Sequence, residues 1–304
     1  MSDQAEVLRE LMRTTTGQPV ESKQSITENN QEHKTRVITI ASGKGGVGKT
    51  NFATNLGIAL ASFDKKVVLM DADLGMANIN VLLGFIPKYN LYHLIRKQKT
   101  LNEIIVNTKY GVKVIGGASG FSRIANLSDA ERYTVVSGLL ALSEADYLII
   151  DAGAGVSNNV LAFVNAADES IIVTTPEPTS ITDAYGIIKI IATESDNWSP
   201  KIHLVVNRVQ SASQGKKVAE RMSSIVATFL NTKIEYLGYV YEDSKIYEAV
   251  RKQKPFFVYA PRSKASQCIL QTAKIVGNIT ELDNKGIKSF LRRLAKHTAV
   301  DMKR

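Results

Sequence analysis

A chain of 304 residues with 44% apolar side chains can bury the core of one large α/β domain or two small ones. Its 38 Lys and Arg against 29 Asp and Glu leave a net charge of +9, which points to an acidic partner such as an anionic membrane or nucleic acid without choosing between them. Cys268 is the only cysteine, and there is neither an apolar run of about 18 residues nor an N-terminal signal pattern. Intrachain disulfides and membrane-spanning helices are thus excluded, and a cytoplasmic chain, at most peripherally attached to a membrane, is expected.

In chain order, residues 2–13 read as a short helix. Ala5, Leu8 and Met12 share one face at i, i+3 and i+7, and Asp3 favours the N-terminal end of the helix dipole. A helix this short is marginal alone, so it needs a surface to bind, on its own domain or on another protein. Residues 14–35 are polar, with Gly17 and Pro19, and read as a flexible tether.

Residues 36–51 organise the rest of the chain. A β-branched run leads into Gly43-Lys44-Gly45-Gly46-Val47-Gly48-Lys49-Thr50, which fits the phosphate-loop spacing G-x-x-x-x-G-K-[ST], and then into a helical run over 52–61. Glycines let consecutive backbone N–H groups turn toward one anion, and the helix N-terminus adds its positive end. Lys49 can reach the β- and γ-phosphates of a nucleotide, and the Thr50 hydroxyl can ligate Mg²⁺. The expected nucleotide contacts are Gly43, Lys44, Gly45, Gly46, Val47, Gly48, Lys49, Thr50 and Asn51.

Beyond the loop, apolar runs expected as strands fall at 66–70, 112–115, 147–150, 170–174, 202–206 and 235–240, after the first at 37–41. Several are continuously apolar, as in strands covered on both faces, and helical patterns separate most of them. This predicts an α/β fold with a doubly wound, mostly parallel sheet, helices on both faces and nucleotide at the carboxyl ends of the strands, over residues 36–285. The Pro-Phe-Phe stretch at 255–257 reads as a loop before a last packed helix over 263–282.

Two of these strands run into aspartates: Asp71-Ala72-Asp73 after 66–70, and Asp151 after 147–150. A carboxylate at a strand end can hold a Mg²⁺ water, orient an attacking water, or simply cap a helix. After the run 202–206 comes Asn207-Arg208-Val209-Gln210. The Asn207 amide can hydrogen-bond the N6 and N1 edge of adenine, and Arg208 can stack on the ring. The last stretch, 286–304, carries six Lys or Arg and one acid. At 100° per residue Ile287, Phe290, Leu291 and Leu294 share one face and Lys288, Arg292, Arg293 and Lys296 the other, the composition of a helix lying on an anionic membrane.

The second loop lysine, Lys44, resembles that of the deviant Walker motif of the MinD/ParA family. Residues 71–78 resemble the switch I segment of MinD-type ATPases and 151–155 their switch II, and the resemblance covers about 37–282. It implies an ATPase in which Lys44 crosses a dimer interface to the partner's nucleotide. Asp73 would polarise the hydrolytic water, Thr50, Asp73 and Asp151 would serve Mg²⁺, and Asp71 would lie beneath the phosphate loop and support it. Ala77 departs from the arginine common in MinD. Guanine-reading relatives carry N/T-K-x-D after the late strand, and 207–210 has no aspartate at the reading position.

A single cysteine argues against the iron–sulfur members of the fold, and the tail lacks the tyrosines of its kinases. Asp3-Gln4-Ala5-Glu6-Val7-Leu8-Arg9 resembles the D-Q-A-x-x-L-R element of the flagellar-number regulators of the FlhG (FleN) family. There the element activates a signal-recognition-type GTPase, FlhF. The resemblance implies an ATP-bound homodimer that controls flagellar number or placement. Its implied partners are an FlhF-like GTPase, flagellar switch or C-ring proteins or a flagellar transcription regulator, and an anionic membrane. Nucleic acid is not among them. The alternatives are a ParA-like DNA segregation ATPase and a MinD-like division-site ATPase.

Overall fold

The computed structural model describes residues 35–73, 78–117, 138–194 and 200–278. The expected helix 2–13, the tether to residue 34, positions 74–77 of the switch-like segment and the tail 286–304 lie outside the described residues. Thr35, counted with the tether, is 1% exposed and donates its hydroxyl to the Leu142 carbonyl at 3.0 Å. The folded unit therefore includes it.

The described strands are β1 (Arg36–Ser42), β2 (Val67–Ala72), β3 (Ile105–Asn107), β4 (Val112–Ile115), β5 (Tyr147–Ala154), β6 (Glu169–Thr174), β7 (Lys201–Val209) and β8 (Ile234–Tyr241). They form one sheet in the order β3-β4-β2-β5-β1-β6-β7-β8, parallel throughout except for the antiparallel pair β3–β4. The named helices are α1 (Lys49–Ala61), α2 (Ile79–Leu83), α3 (Leu91–Ile95), α4 (Leu101–Ile104), α5 (Asn158–Ala166), α6 (Pro178–Glu194), α7 (Ala212–Leu230), α8 (Ser244–Arg251), α9 (Phe256–Tyr259) and α10 (Lys264–Asn278).

Successive side chains of a strand point to opposite faces, and here both faces are covered. Ile38 and Ile40 of β1 join Phe52, Leu56 and Leu60 of α1 and Ile269 and Ala273 of α10. Val37 packs on the other face with Phe163 of α5, and Ala41 with Ile187 of α6. The strands consequently read as unbroken apolar runs rather than as alternation. Leu56 is fully buried, so truncating it to alanine would cost about 2–5 kcal/mol. That packing fixes α1, and with it the loop that opens α1.

At the amino ends of the strands, Arg36 pairs with Glu169 and donates Nη1–H to the Val276 carbonyl at 2.6 Å. His203 Nε2 lies 3.1 Å from the same Glu169. Burial alone would raise the Glu169 pKa; His203 and Arg36 outweigh it and hold the carboxyl low. The network closes the end of the sheet opposite the phosphate loop.

Three expectations change. β2 and β5 run past the anticipated ends, so Asp71 and Asp151 lie within strands and are directly paired in the register. The 255–257 stretch is not a loop: Pro255 precedes the one-turn helix α9, Phe256 is 2% exposed, and the Phe257 N–H donates to Asn55 Oδ1 at 2.9 Å. Proline suits the start of a helical turn because it has no N–H to leave unpaired. The edge strand β3 is an addition to the expected set. It is three residues long and only partly buried, too short for a period to show. Among the described residues, no helix is long and apolar enough to cross a membrane.

Candidate nucleotide site

The phosphate loop leaves β1 at Ser42 and enters α1 at Lys49. Gly48 precedes the helix with φ 90° and no side-chain cap, so the first-turn N–H groups are left for an anion. A Cβ at Gly48 would stand 2.3 Å from Asn207 Nδ2, which excludes side chains on a second ground. A Cβ at Gly43 would stand 2.1 Å from the Asp183 carbonyl oxygen, so the loop rests on the first turns of α6. Gly45 and Gly46 are exposed, Val47 is buried, and Asn51 is half-buried in the wall of an adjoining cavity. The Gly155 N–H donates to the Ser42 carbonyl at 2.9 Å, joining the end of β5 to the loop.

Lys49, Thr50 and Asp151 come together. Lys49 Nζ lies 2.7 Å from Asp151 Oδ1, with the two side chains 7% and 0% exposed. Burial pushes the Asp151 carboxyl up; the Lys49 charge and the Lys49 and Thr50 hydrogen bonds oppose it, and the Asp73 charge adds to the rise. Asp73 thus sits within electrostatic reach of the cluster. Asp151 Oδ2 is buried with no hydrogen-bond partner. An unsatisfied buried carboxylate oxygen beside a hydroxyl fits a hard, oxygen-binding cation such as Mg²⁺.

Asp71 does not support the phosphate loop, and that expectation is corrected. Its Oδ1 accepts the Asp73 N–H at 3.1 Å, and its Oδ2 accepts those of Asn78 at 2.8 Å and Ile79 at 3.0 Å. The carboxylate therefore clasps both flanks of the switch-like segment to β2. Burial, then the neighbouring Asp151 charge, raise its pKa to about 6, against the pull of the three N–H groups.

Lys44 lies away from this cluster. Its Nζ is 3.3 Å from Glu177 Oε2 and donates to Thr179 Oγ1 at 3.1 Å. With side chains 42% and 59% exposed, the Lys44–Glu177 pair is solvent-screened and easily parted.

The cavity beside the loop measures about 280 Å³ and is lined by Gly48, Asn51, Asn207, Arg208 and side chains of α8 and α9. Asn207 Nδ2 donates to the Val47 carbonyl at 2.7 Å, while Oδ1 is buried without a partner. The Val47 bond fixes the amide orientation and leaves Oδ1 and the second Nδ2–H for a base. Arg208 sits at φ 56° where the β7–β8 register shifts, a strained backbone of the kind stored at functional sites. Sequence reasoning missed Ile246, Tyr247, Arg251 and Phe256 in the cavity wall. The signal was there: a helix straight after the carboxyl end of β8, capped by Asp243, which accepts the Lys245 N–H at 2.9 Å.

The family described as "CobQ/CobB/MinD/ParA nucleotide binding domain" matches residues 38–256. Antiactivator FleN of Pseudomonas aeruginosa is 34% identical over 270 residues, 88% of this chain and 96% of that protein. Flagellum site-determining protein YlxH of Helicobacter pylori is 34% identical over 306 residues, 98% of this chain and 99% of that protein. The septum site-determining protein MinD of Pyrococcus horikoshii OT3, solved with Mg-ADP, superposes with a TM-score of 0.66 at 26% identity, covering 81% of this chain and 97% of that one. A strand–glycine loop–helix at the centre of a parallel sheet, a lysine–aspartate–threonine cluster at its mouth and these matches give one conclusion: the chain belongs to the CobQ/CobB/MinD/ParA nucleotide-binding family, with a MinD-like P-loop fold.

Proposed function

We propose that this protein is an ATPase that works as a dimerising switch controlling flagellar number or placement. The observation that carries the ATPase reading is the Lys49–Asp151–Thr50 cluster with its unpartnered Asp151 Oδ2. The two relatives named antiactivator and flagellum site-determining protein support the biological output.

In this reading the N–H groups of the loop and of the first turn of α1 hold the phosphates. Lys49 leaves Asp151 for the β- and γ-phosphate oxygens, which frees the Asp151 carboxylate. Thr50 and Asp151, with Asp73 nearby, would hold Mg²⁺, which when bound neutralises charge on the phosphate oxygens. Asp73 orients the attacking water. Asn207 Oδ1 accepts a hydrogen bond from the adenine amine, and Arg208 covers the ring. Lys44 exchanges Glu177 and Thr179 for the partner subunit's nucleotide. An exposed pair of that kind is worth about 1 kcal/mol or less, so the exchange costs little.

Residues 1–13 would then be a detachable activator of an FlhF-like GTPase, with Arg9 meeting developing phosphate charge. Residues 286–304 would place the ATP-bound dimer on the inner face of the cell membrane. Switch or C-ring proteins, or a flagellar transcription regulator, would receive the signal. The test is GTP turnover by the cognate GTPase with a synthetic 1–13 peptide. Stimulation matching that by the full chain supports the reading; no effect at concentrations where the full chain works refutes the activator role.

A further inference from the structure

We propose that the α3–β3 edge of the sheet is a docking surface for an acidic segment of a partner protein, one that carries aliphatic side chains among its carboxylates. Between residues 85 and 117 the sequence carries Lys88, Arg96, Lys97, Lys99, Lys109 and Lys113 and one acid, Glu103. That is a net of +5 out of the chain's +9 (six cations less one acid). The single acid is already engaged: Glu103 accepts from Lys99 Nζ at 2.8 Å and from the Thr100 N–H at 2.8 Å. Lys88, Arg96, Lys97, Lys109 and Lys113 are exposed. Ile86, next but one to Lys88, is 93% exposed, and Tyr92 is 38% exposed.

The cations are arranged on aromatic rings. Lys99 and Lys88 lie 4.5 and 5.3 Å from the Tyr89 ring centroid, and Arg96 lies 5.5 Å from that of Tyr92. His93 stands edge-on to both tyrosines, at 5.3 and 6.0 Å. Rings covered by the chain's own cations are not free to stack nucleobases, which is how single strands are held. A nucleic acid backbone would also leave Ile86 without an apolar partner. An acidic segment with leucine-like side chains uses both features, carboxylates on the ordered cations and an aliphatic group on Ile86.

Pro87 and Asn90 pack over Gly116, just past the carboxyl end of β4 and at the opposite end of the sheet from the Arg36–Val276 contact.

Ile86, Lys88, Arg96 and Lys97 line neither the phosphate loop nor the adjoining cavity, and the surface is tested on the full chain. The probe is a fluorescent 14-residue peptide with glutamate and leucine at helical spacing. The comparison probes are the same peptide with lysine for glutamate, a 30-base-pair random duplex and phosphatidylglycerol vesicles. The acidic peptide should shift the amide resonances of residues 86–99. Lys88→Glu/Arg96→Glu/Lys97→Glu should weaken its binding at least tenfold, and Ile86→Ser severalfold, with ATP turnover unchanged. Should the triple variant not fold, the amide shifts and Ile86→Ser decide. Absent shifts, or equal binding by the folded triple variant or by Ile86→Ser, would overturn the proposal. So would stronger shifts of the same amides by duplex or vesicles, which would assign the surface to nucleic acid or to lipid.

Discussion

Asp71→Asn isolates the electrostatic cost of the clasp. The folded carboxyl titrates at about 6 against an ordinary 3.8, so the folded state binds the extra proton between those values. The penalty is absent below the unfolded value, grows as the pH rises and is complete above the folded one. Stability is therefore lost with rising pH, the reverse of a salt-bridged carboxylate. Integrating the two titration curves gives a cost of roughly 2 kcal/mol at pH 5 and roughly 3 kcal/mol at pH 8. Asparagine does not titrate, and its poorer hydrogen bonding to the three N–H groups is a constant that cancels between pH values. The stability difference between Asp71→Asn and the parent should thus move by about 1 kcal/mol in favour of the variant from pH 5 to pH 8. Urea unfolding of the nucleotide-free proteins at both pH values measures it. A difference that does not change with pH, or that moves toward the parent, would refute the burial and Asp151 repulsion assigned to this group.

Lys44→Ala should bind ATP but fail to dimerise with it; normal ATP-dependent dimerisation in size-exclusion chromatography would remove Lys44 from the interface. Asn207→Ala should weaken ATP binding about tenfold and narrow the preference for ATP over GTP, since one buried hydrogen bond is lost. Competition titration with both nucleotides checks this, and an unchanged preference would contradict the base-reading role. Deleting 286–304 should abolish ATP-dependent sedimentation with anionic liposomes, and binding by the parent should fall as salt is raised.

The parts of the fold legible in the sequence are those that burial writes locally. Val37, Ile38 and Ile40 sit in a run apolar enough to show a strand covered on both faces. The loop was legible because glycines, Lys49 and Thr50 occur at a spacing that phosphate binding demands. What the sequence hid depends on long-range pairing or on backbone. Asn207 locks onto Val47, 160 residues away, so its free acceptor could not be told from its engaged donor. Asp71 looked like a support for the loop because its partners, the N–H groups of Asp73, Asn78 and Ile79, leave no side-chain signature. Lys44 read as a residue aimed at a partner subunit, whereas within one chain it contacts Glu177 and Thr179, supplied by the stretch after β6. Phe256 read as part of a loop because a four-residue helix is too short to display a period.

In the proposed switch the hydrolysis step depends on Asp73, and Asp73→Ala tests this most directly. Light scattering after size-exclusion chromatography, with Mg·ATP and parallel phosphate release, should show the variant moving from 33.3 kDa to twice that mass and staying there, with no turnover. A variant that hydrolyses ATP at the parent rate, or that remains at the monomer mass with ATP bound, would contradict it.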